Sequence, residues 1–228
     1  LVPPVRPARP EQPALLPPRE MAKRSRAASV TGRVALLHAL AHIELNAIDL
    51  AWDLVVRFPD EAMPPAFFDD WVTVAADEAR HFDLLAGRLA GLGANYGDLP
   101  AHDGLWRAAQ DTAHDLAARL AVVPMVLEAR GLDVTPRTIA TLATHGDGAS
   151  AAVLQVILDD EITHVAAGCR WFEVLCVRRG LEPVATWHDL LARHFRSTPK
   201  PPFNHDARAR AGMDRRYYEG FDTSERKD

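Results

Sequence analysis

Apolar residues recur at three- and four-residue spacing along most of the chain, and no stretch alternates strictly as a half-buried strand would. The first periodic run, Val34–Val56, follows a proline-rich opening and ends before Pro59, with Ser29 standing where an N-cap belongs. A second helix is predicted from Pro65, a residue suited to a first turn, to Gly91. A third is predicted from Leu105 to Arg130, kinked at Pro124 and stopped by Gly131. Thr135 and Pro136 then read as the cap and first turn of a short helix that reaches Thr144. After the turn at His145–Gly148, a fourth long helix runs over Ala149–Arg179 and ends at Gly180; a shorter one spans Thr186–Phe195.

Four long helices without a strand predict an all-α fold, a four-helix bundle with extra short helices over residues 29–195. Seven prolines in the first 20 positions make residues 1–28 an extended arm. Residues 196–228 read as an irregular tail, rich in proline and arginine, that packs on the bundle or extends from it.

Within the helical region Glu-x-x-His occurs twice, as Glu78/His81 and Glu161/His164. Residues three apart share a helix face, so each pair can grip one metal ion. Alone the signature is weak; its context makes it specific. Each pair follows an aspartate, in D-E-A-R-H at 77–81 and D-E-I-T-H at 160–164, and each has a glutamate on the preceding helix, Glu44 and Glu128. The offsets agree, 34 residues from Glu44 to Glu78 and 33 from Glu128 to Glu161, so the two halves repeat with a period of 83 to 84 residues. Asp49 and Asp133, each five residues after its helix glutamate, extend the repeat, which predicts two related helix hairpins packed face to face.

The four glutamates have mostly apolar neighbours at i±3 and i±4, and none has Lys or Arg there. An unpaired buried carboxylate costs several kcal/mol, so four converging ones require cations. Two divalent ions balance them while the histidines stay neutral. Zinc, which prefers tetrahedral N/S ligation, suits this oxygen-rich set poorly; iron, or iron with manganese, suits it well. The second coordination layer is expected to comprise Asp49, Asp77, Arg80, Asp133 and Asp160, since metal-bound imidazoles usually donate their other N–H to a carboxylate. His38 and His42 read as packing histidines, and His42, Asn46, Asp49 and Asp53 as a separate polar stripe on the first helix. Gly168, one turn beyond His164, either leaves room for dioxygen or permits close helix packing. Core packing is the reading for Trp52 and Trp171, and Tyr96, Tyr217 and Tyr218 all fall off the ligand-bearing helix faces.

These spaced motifs resemble the ferritin-like di-iron carboxylate superfamily. The resemblance implies that Glu44 and Glu161 are terminal or bridging ligands together with Glu78 and Glu128, and that His81 and His164 each ligate one of two iron ions, or of an iron–manganese pair. Three further segments are similar to a bacterial ferritin-like family of unknown function: residues 36–51, V-P-M-V-L-E-A-R-G-L-D-V-T-P at 123–136, and P-K-P-P-F-N at 199–204. P-A-L-L-P-P-R-E at 13–20 fits as well, so the likeness covers nearly the whole chain. Thr163, where the first half has Arg80, departs from the repeated pattern.

The implied activity is an oxidoreductase that uses dioxygen to oxidise or hydroxylate an organic small molecule. The alternatives are a ferroxidase or iron-handling protein and a non-catalytic helical interaction module. An external electron donor is expected, because no flavin, nicotinamide or iron–sulfur motif is present. A formal charge of −5, from 26 basic and 31 acidic residues, argues against nucleic acid. No uninterrupted apolar run nears the roughly 20 residues of a membrane span, so no membrane partner is expected. Cys169 and Cys176, seven apart and thus about 10.5 Å apart along a helix, are too distant for a disulfide and point to a reducing, cytoplasmic compartment. A homodimer, with the tail as a subunit contact, is compatible with this layout.

Overall fold

Ser29 opens the first helix by accepting a hydrogen bond from the Gly32 amide at 3.1 Å, and α1 then runs over Val30–Arg57. In this computed structural model, which describes residues 3–17, 20–21, 28–195 and 197–220, a 3-10 turn at Pro59–Glu61 leads from α1 to α2, Pro65–Ala90. The two helices make the most extensive packing contact in the protein. Asp147 caps α6, Gly148–Arg178, through the Ser150 amide. The chain leaves α6 at Gly180, whose φ of +66° suits a residue without a Cβ. Among the described residues the fold is all-α, with a single isolated bridge between Leu15 and Ala101.

The third rod differs from its sequence expectation. The helix predicted over Leu105–Arg130 is interrupted, giving α3, Gly104–Asp111, and α4, Leu116–Val122, whose N-cap Asp115 accepts from the Ala117 amide. A π-helical segment follows at Val123–Glu128, and α5, Ala129–Thr144, continues straight through Gly131 and Pro136. The short helix expected to begin at Thr135 is therefore part of this rod. Pro136 lacks the N–H that would satisfy the Leu132 carbonyl one turn back, and the Asn204 side-chain amide donates to that carbonyl instead, at 3.1 Å. Similarly, the Trp187 indole N–H donates to the Ala121 carbonyl beside the π segment, at 3.2 Å.

The remaining elements clothe this frame. α7, Pro183–His194, lies on α4; the stretch expected to be irregular contains α8, His205–Arg210, and α9, Arg215–Tyr218. Arm residues Val5, Arg9 and Leu16 are held by α3, α1 and Ala101 respectively. Other parts of the arm, including 22–27, and the tail beyond 220 lie outside the described residues.

Two large apolar clusters, with a smaller one of Leu50, Trp106, Ala109 and Val123 beside them, fill the interior. One gathers Leu37, Leu85, Leu89, Leu142 and Leu154, the other Leu54, Trp71, Phe172, Trp187 and Tyr217. Burial of each such large side chain contributes about 1.5–3 kcal/mol. On α1 and α2 the predicted ligands fall between the residues of these clusters, so a polar layer is enclosed by apolar ones. α1 is long and apolar enough, by length and overall composition, to cross a membrane; half of its most apolar stretch is buried inside the protein. Trp52, expected in the core, is 47% exposed on α1, whereas Trp171 is buried and donates to Asp70 at 2.7 Å. Cys169 and Cys176 are free and buried.

Gly168 is explained by packing rather than by space for a gas molecule. A Cβ there would lie 2.4 Å from the Cβ of Pro124 and 2.7 Å from its Cγ, so the proline ring occupies the place of a side chain. Gly168→Ala should destabilise the protein by about 1–3 kcal/mol, measured by urea denaturation, with helix content retained. An unchanged midpoint would show that the seam between the π segment and α6 yields freely.

Candidate metal centre

α1 and α2 bring Glu44, Glu78 and His81 to one place, and α6 adds Glu161: each offers a ligand atom, and the four atoms lie within 4.8 Å of one another. Glu78 is the centrepiece. Its Oε2 lies 3.4 Å from Nδ1 of His81, and its Oε1 lies 3.1 Å from Nδ1 of His164. Glu44 Oε2 is 3.4 Å from His81 Nδ1, and Glu161 Oε2 is 3.8 Å from His164 Nδ1. Both imidazoles thus turn Nδ1 towards the carboxylates, with ring centres 5.7 Å apart. Glu128 closes the group from the end of the π segment, where its carboxyl interacts electrostatically with Glu78 and His164.

The outward nitrogens cross between the hairpins. His81 Nε2 is 3.0 Å from Asp160, and His164 Nε2 is 3.4 Å from Asp77. Each aspartate directly precedes the glutamate of the opposite motif. Arg80 spans both aspartates, at 2.8 and 2.9 Å, which ties α2 to α6. One arginine serves both halves, and Thr163 at the matching position turns its hydroxyl to the Asp160 carbonyl instead. A carboxylate at Nε2 holds a proton on that nitrogen, so that when the ring loses its second proton the Nδ1 lone pair faces inward.

Asp49 and Asp133, expected near the histidines, are elsewhere. Asp49 pairs with Arg9 of the arm, and Asp133 with Arg208 of α8 at 2.7 Å. Five residues beyond Glu44 or Glu128 is about 500° of helix rotation, which carries the aspartate well round from the face the glutamate uses. The repeat in sequence therefore records a different shared task, anchoring a terminal segment to the bundle. A buried network went unrecognised in the sequence: Arg119, fully enclosed, bonds Asp53 at 2.5 Å, the Thr112 hydroxyl and the Ala109 carbonyl. Its signal was an arginine inside the apolar run Leu116–Met125.

Electrostatics show what the cluster lacks. Burial, partly offset by His81, raises the Glu44 carboxyl well above its ordinary range, and burial with Glu78 and Glu128 does the same to Glu161. Burial and the Glu78 charge push Glu128 up to about 7. Burial opposes ionisation of Glu78 too, but contacts with His164 and His81 outweigh it and hold that carboxyl low. For His81 burial is outweighed by Glu44, Glu78 and Asp160, which raise it to about 10; for His164 burial is outweighed by Glu78. Five buried atoms of this one group have no hydrogen-bond partner: Glu44 Oε2, Glu78 Oε1, Glu128 Oε2, Glu161 Oε2 and His164 Nδ1. Buried polar atoms are nearly always satisfied, and a converging set of acceptors is the donor set of a hard or borderline cation. The cluster can hold a metal ion.

Comparison with known proteins agrees in extent but carries no activity. Residues 2–219 match the profile of a family described as "Protein of unknown function (DUF455)". A Haemophilus influenzae relative, described as an uncharacterized protein, is 45% identical over 209 residues, which cover 90% of this chain and 72% of the relative. No solved structure matches. The profile spans the arm, all the long helices and both tail helices, and the chain belongs to the DUF455 family.

Proposed function

We propose that the protein is a dinuclear metal oxidoreductase of ferritin-like type, which uses dioxygen to oxidise or hydroxylate an organic small molecule. Two iron ions, or iron with manganese, would be held by Glu44, Glu78, His81, Glu128, Glu161 and His164. The observation that carries this reading is the convergence of partnerless buried acceptors on two imidazoles whose other nitrogens are pinned by aspartates. Four carboxylates match the charge of two divalent ions, and Glu78, with one oxygen towards each histidine, is the natural bridge. A bound pair of this kind supplies redox capacity and open coordination positions for dioxygen.

The chain's own residues set the conditions. Asp77, Asp160 and Arg80 hold the imidazoles at fixed angles, and the flanking apolar clusters keep water from the layer. Glu161, whose side chain is 12% exposed, is less enclosed than Glu44, Glu78, His81 or His164. Reducing equivalents come from an external donor.

Anaerobic reconstitution with ferrous iron, followed by elemental analysis, should give ~2 metal ions per chain. Glu161→Gln should drop the content to one or less while making the metal-free protein more stable by about 1 kcal/mol or more, because a buried carboxylate is gone. Failure of the wild type to retain iron or manganese would overturn the reading; dioxygen consumption with ferrous iron alone and growth of a mineral core would favour the ferroxidase instead.

Metal binding should also displace protons. The metal-free cluster keeps His81 charged up to about pH 10 and Glu128 half-protonated near 7, whereas ligands must be deprotonated. Affinity therefore rises with pH between 6 and 8, by about tenfold per unit for each proton released. Calorimetry in buffers of different ionisation enthalpy measures that count, and a pH-independent affinity would contradict the electrostatics.

A further inference from the structure

The polar stripe of α1 points away from the metal layer. His42 and Glu44 are two residues apart, about 200° around the helix, so they serve opposite sides of α1. The stripe faces the arm, α3 and the loop that carries Tyr96. Between these elements lies a cavity of about 350 Å³, bounded by Arg9, Pro10, His42, Asn46, Tyr96 and Trp106 among others. That is roughly twice the ~150 Å³ cavity that accommodates benzene, and it falls in the range of small-ligand sites.

One wall group is unfinished. His42 is only 7% exposed; its Nδ1 lies 2.8 Å from the Tyr96 hydroxyl, and its buried Nε2 has no partner. Burial, with help from the Arg9 and His102 charges and partly offset by the His102 backbone carbonyl, lowers the imidazole to about 4. The ring is therefore neutral at physiological pH, and a ligand acceptor competes with that carbonyl for its N–H. With the phenol donating to Nδ1, the remaining proton sits on Nε2. The neighbouring charges are already matched: Arg9 on Asp49 and the Asn46 carbonyl oxygen, Arg6 on Asp103 at 2.9 Å. Among the described residues lining the cavity, Glu11 is the one charge without an ion pair, and it disfavours an anionic ligand. The flat surfaces are Trp106, locked by donation from its indole N–H to the Val5 carbonyl at 3.0 Å, and Tyr96.

We propose that this cavity is a binding site, separate from the metal centre, for a small uncharged planar aromatic molecule of about two fused rings. A hydrogen-bond acceptor on the ring receives the His42 Nε2 proton, while Tyr96 and Trp106 supply the apolar contact. The arm forms the outer wall, so the site exists only while Arg9 keeps the arm on α1. This inference does not depend on the metal chemistry.

Quinoline and naphthalene share a shape and differ by one acceptor nitrogen, which makes them a matched pair of probes. By calorimetry, quinoline should bind the full chain at least as tightly as naphthalene, although it is the better hydrated of the two. His42→Phe should shift the ratio of dissociation constants about tenfold towards naphthalene, whereas His42→Gln, which retains an N–H donor, should not. A native-protein measurement covers the chance that His42→Phe misfolds: in ¹⁵N-histidine-labelled wild type, quinoline should move the His42 Nε2 resonance and leave that of His188 in place. No binding of either probe, an unchanged ratio in folded His42→Phe, or an unmoved His42 resonance would each overturn the proposal.

Discussion

Burial of like charges is the constraint around which this fold is arranged. Glu44 and Glu78 are enclosed, Glu128 and Glu161 nearly so, and apolar clusters lie to either side of them along the helices. Carboxylates taken out of water cost several kcal/mol each when uncompensated, against a whole-domain stability of about 5–15 kcal/mol. The metal-free protein meets that cost by protonation: three carboxyls are raised, His81 is held charged, and the imidazole of His164 is shifted upward. Such an arrangement is poorly suited to structural duty, since hydrophobic replacements would serve stability better. Its form makes sense for cations, whose binding free energy then becomes part of the folding free energy.

The internal repeat explains how four helices meet the geometric demands of such a cluster. Each hairpin supplies the aspartate that fixes the other hairpin's histidine, so neither half can orient its own imidazole alone. The coupling is reinforced at one point, where Arg80 joins Asp77 and Asp160 across α2 and α6. The other repeated pair, Asp49 and Asp133, works outward. Arg9 from one terminus and Arg208 from the other dock on equivalent positions of the two halves, and Asn204 beside Arg208 also satisfies the carbonyl that Pro136 exposes. Arm and tail are thereby integral to the bundle.

What could be read from the sequence follows from where the information lies. α1, α2 and α6 carry local start and stop signals, Ser29, Pro65, Asp147 and Gly180, and their limits were legible to within a few residues. The Glu and His positions were legible because i,i+3 spacing and an 83-residue offset need no knowledge of packing. The third rod misled because Gly131 and Pro136 are local breakers, overridden by a contact from Asn204 more than sixty residues away. Asp49 and Asp133 misled for a related reason: the repeat identified them as a pair, but their arginine partners sit at the far ends of the chain. Trp52 shows the limit of periodicity, which marks an apolar face without saying whether another element covers it.

α1 is the element through which the two interiors communicate. A metal ligand must sit within about 0.2 Å of its required distance, and a helix that turns about its axis carries every side chain with it. Glu44 on one side of α1 is therefore only as well placed as the contacts on the other side allow. Those contacts are numerous and polar: His42 on Tyr96, Asn46 and Asp49 on Arg9, Asp53 on Arg119. Their directionality matters more than their strength, because hydrogen bonds and ion pairs specify an azimuth that apolar packing alone leaves soft. Placing a polar stripe opposite Glu44 gives α1 a rotational lock, and it makes the arm, remote in sequence from the buried Glu and His residues, a determinant of the geometry of their cluster.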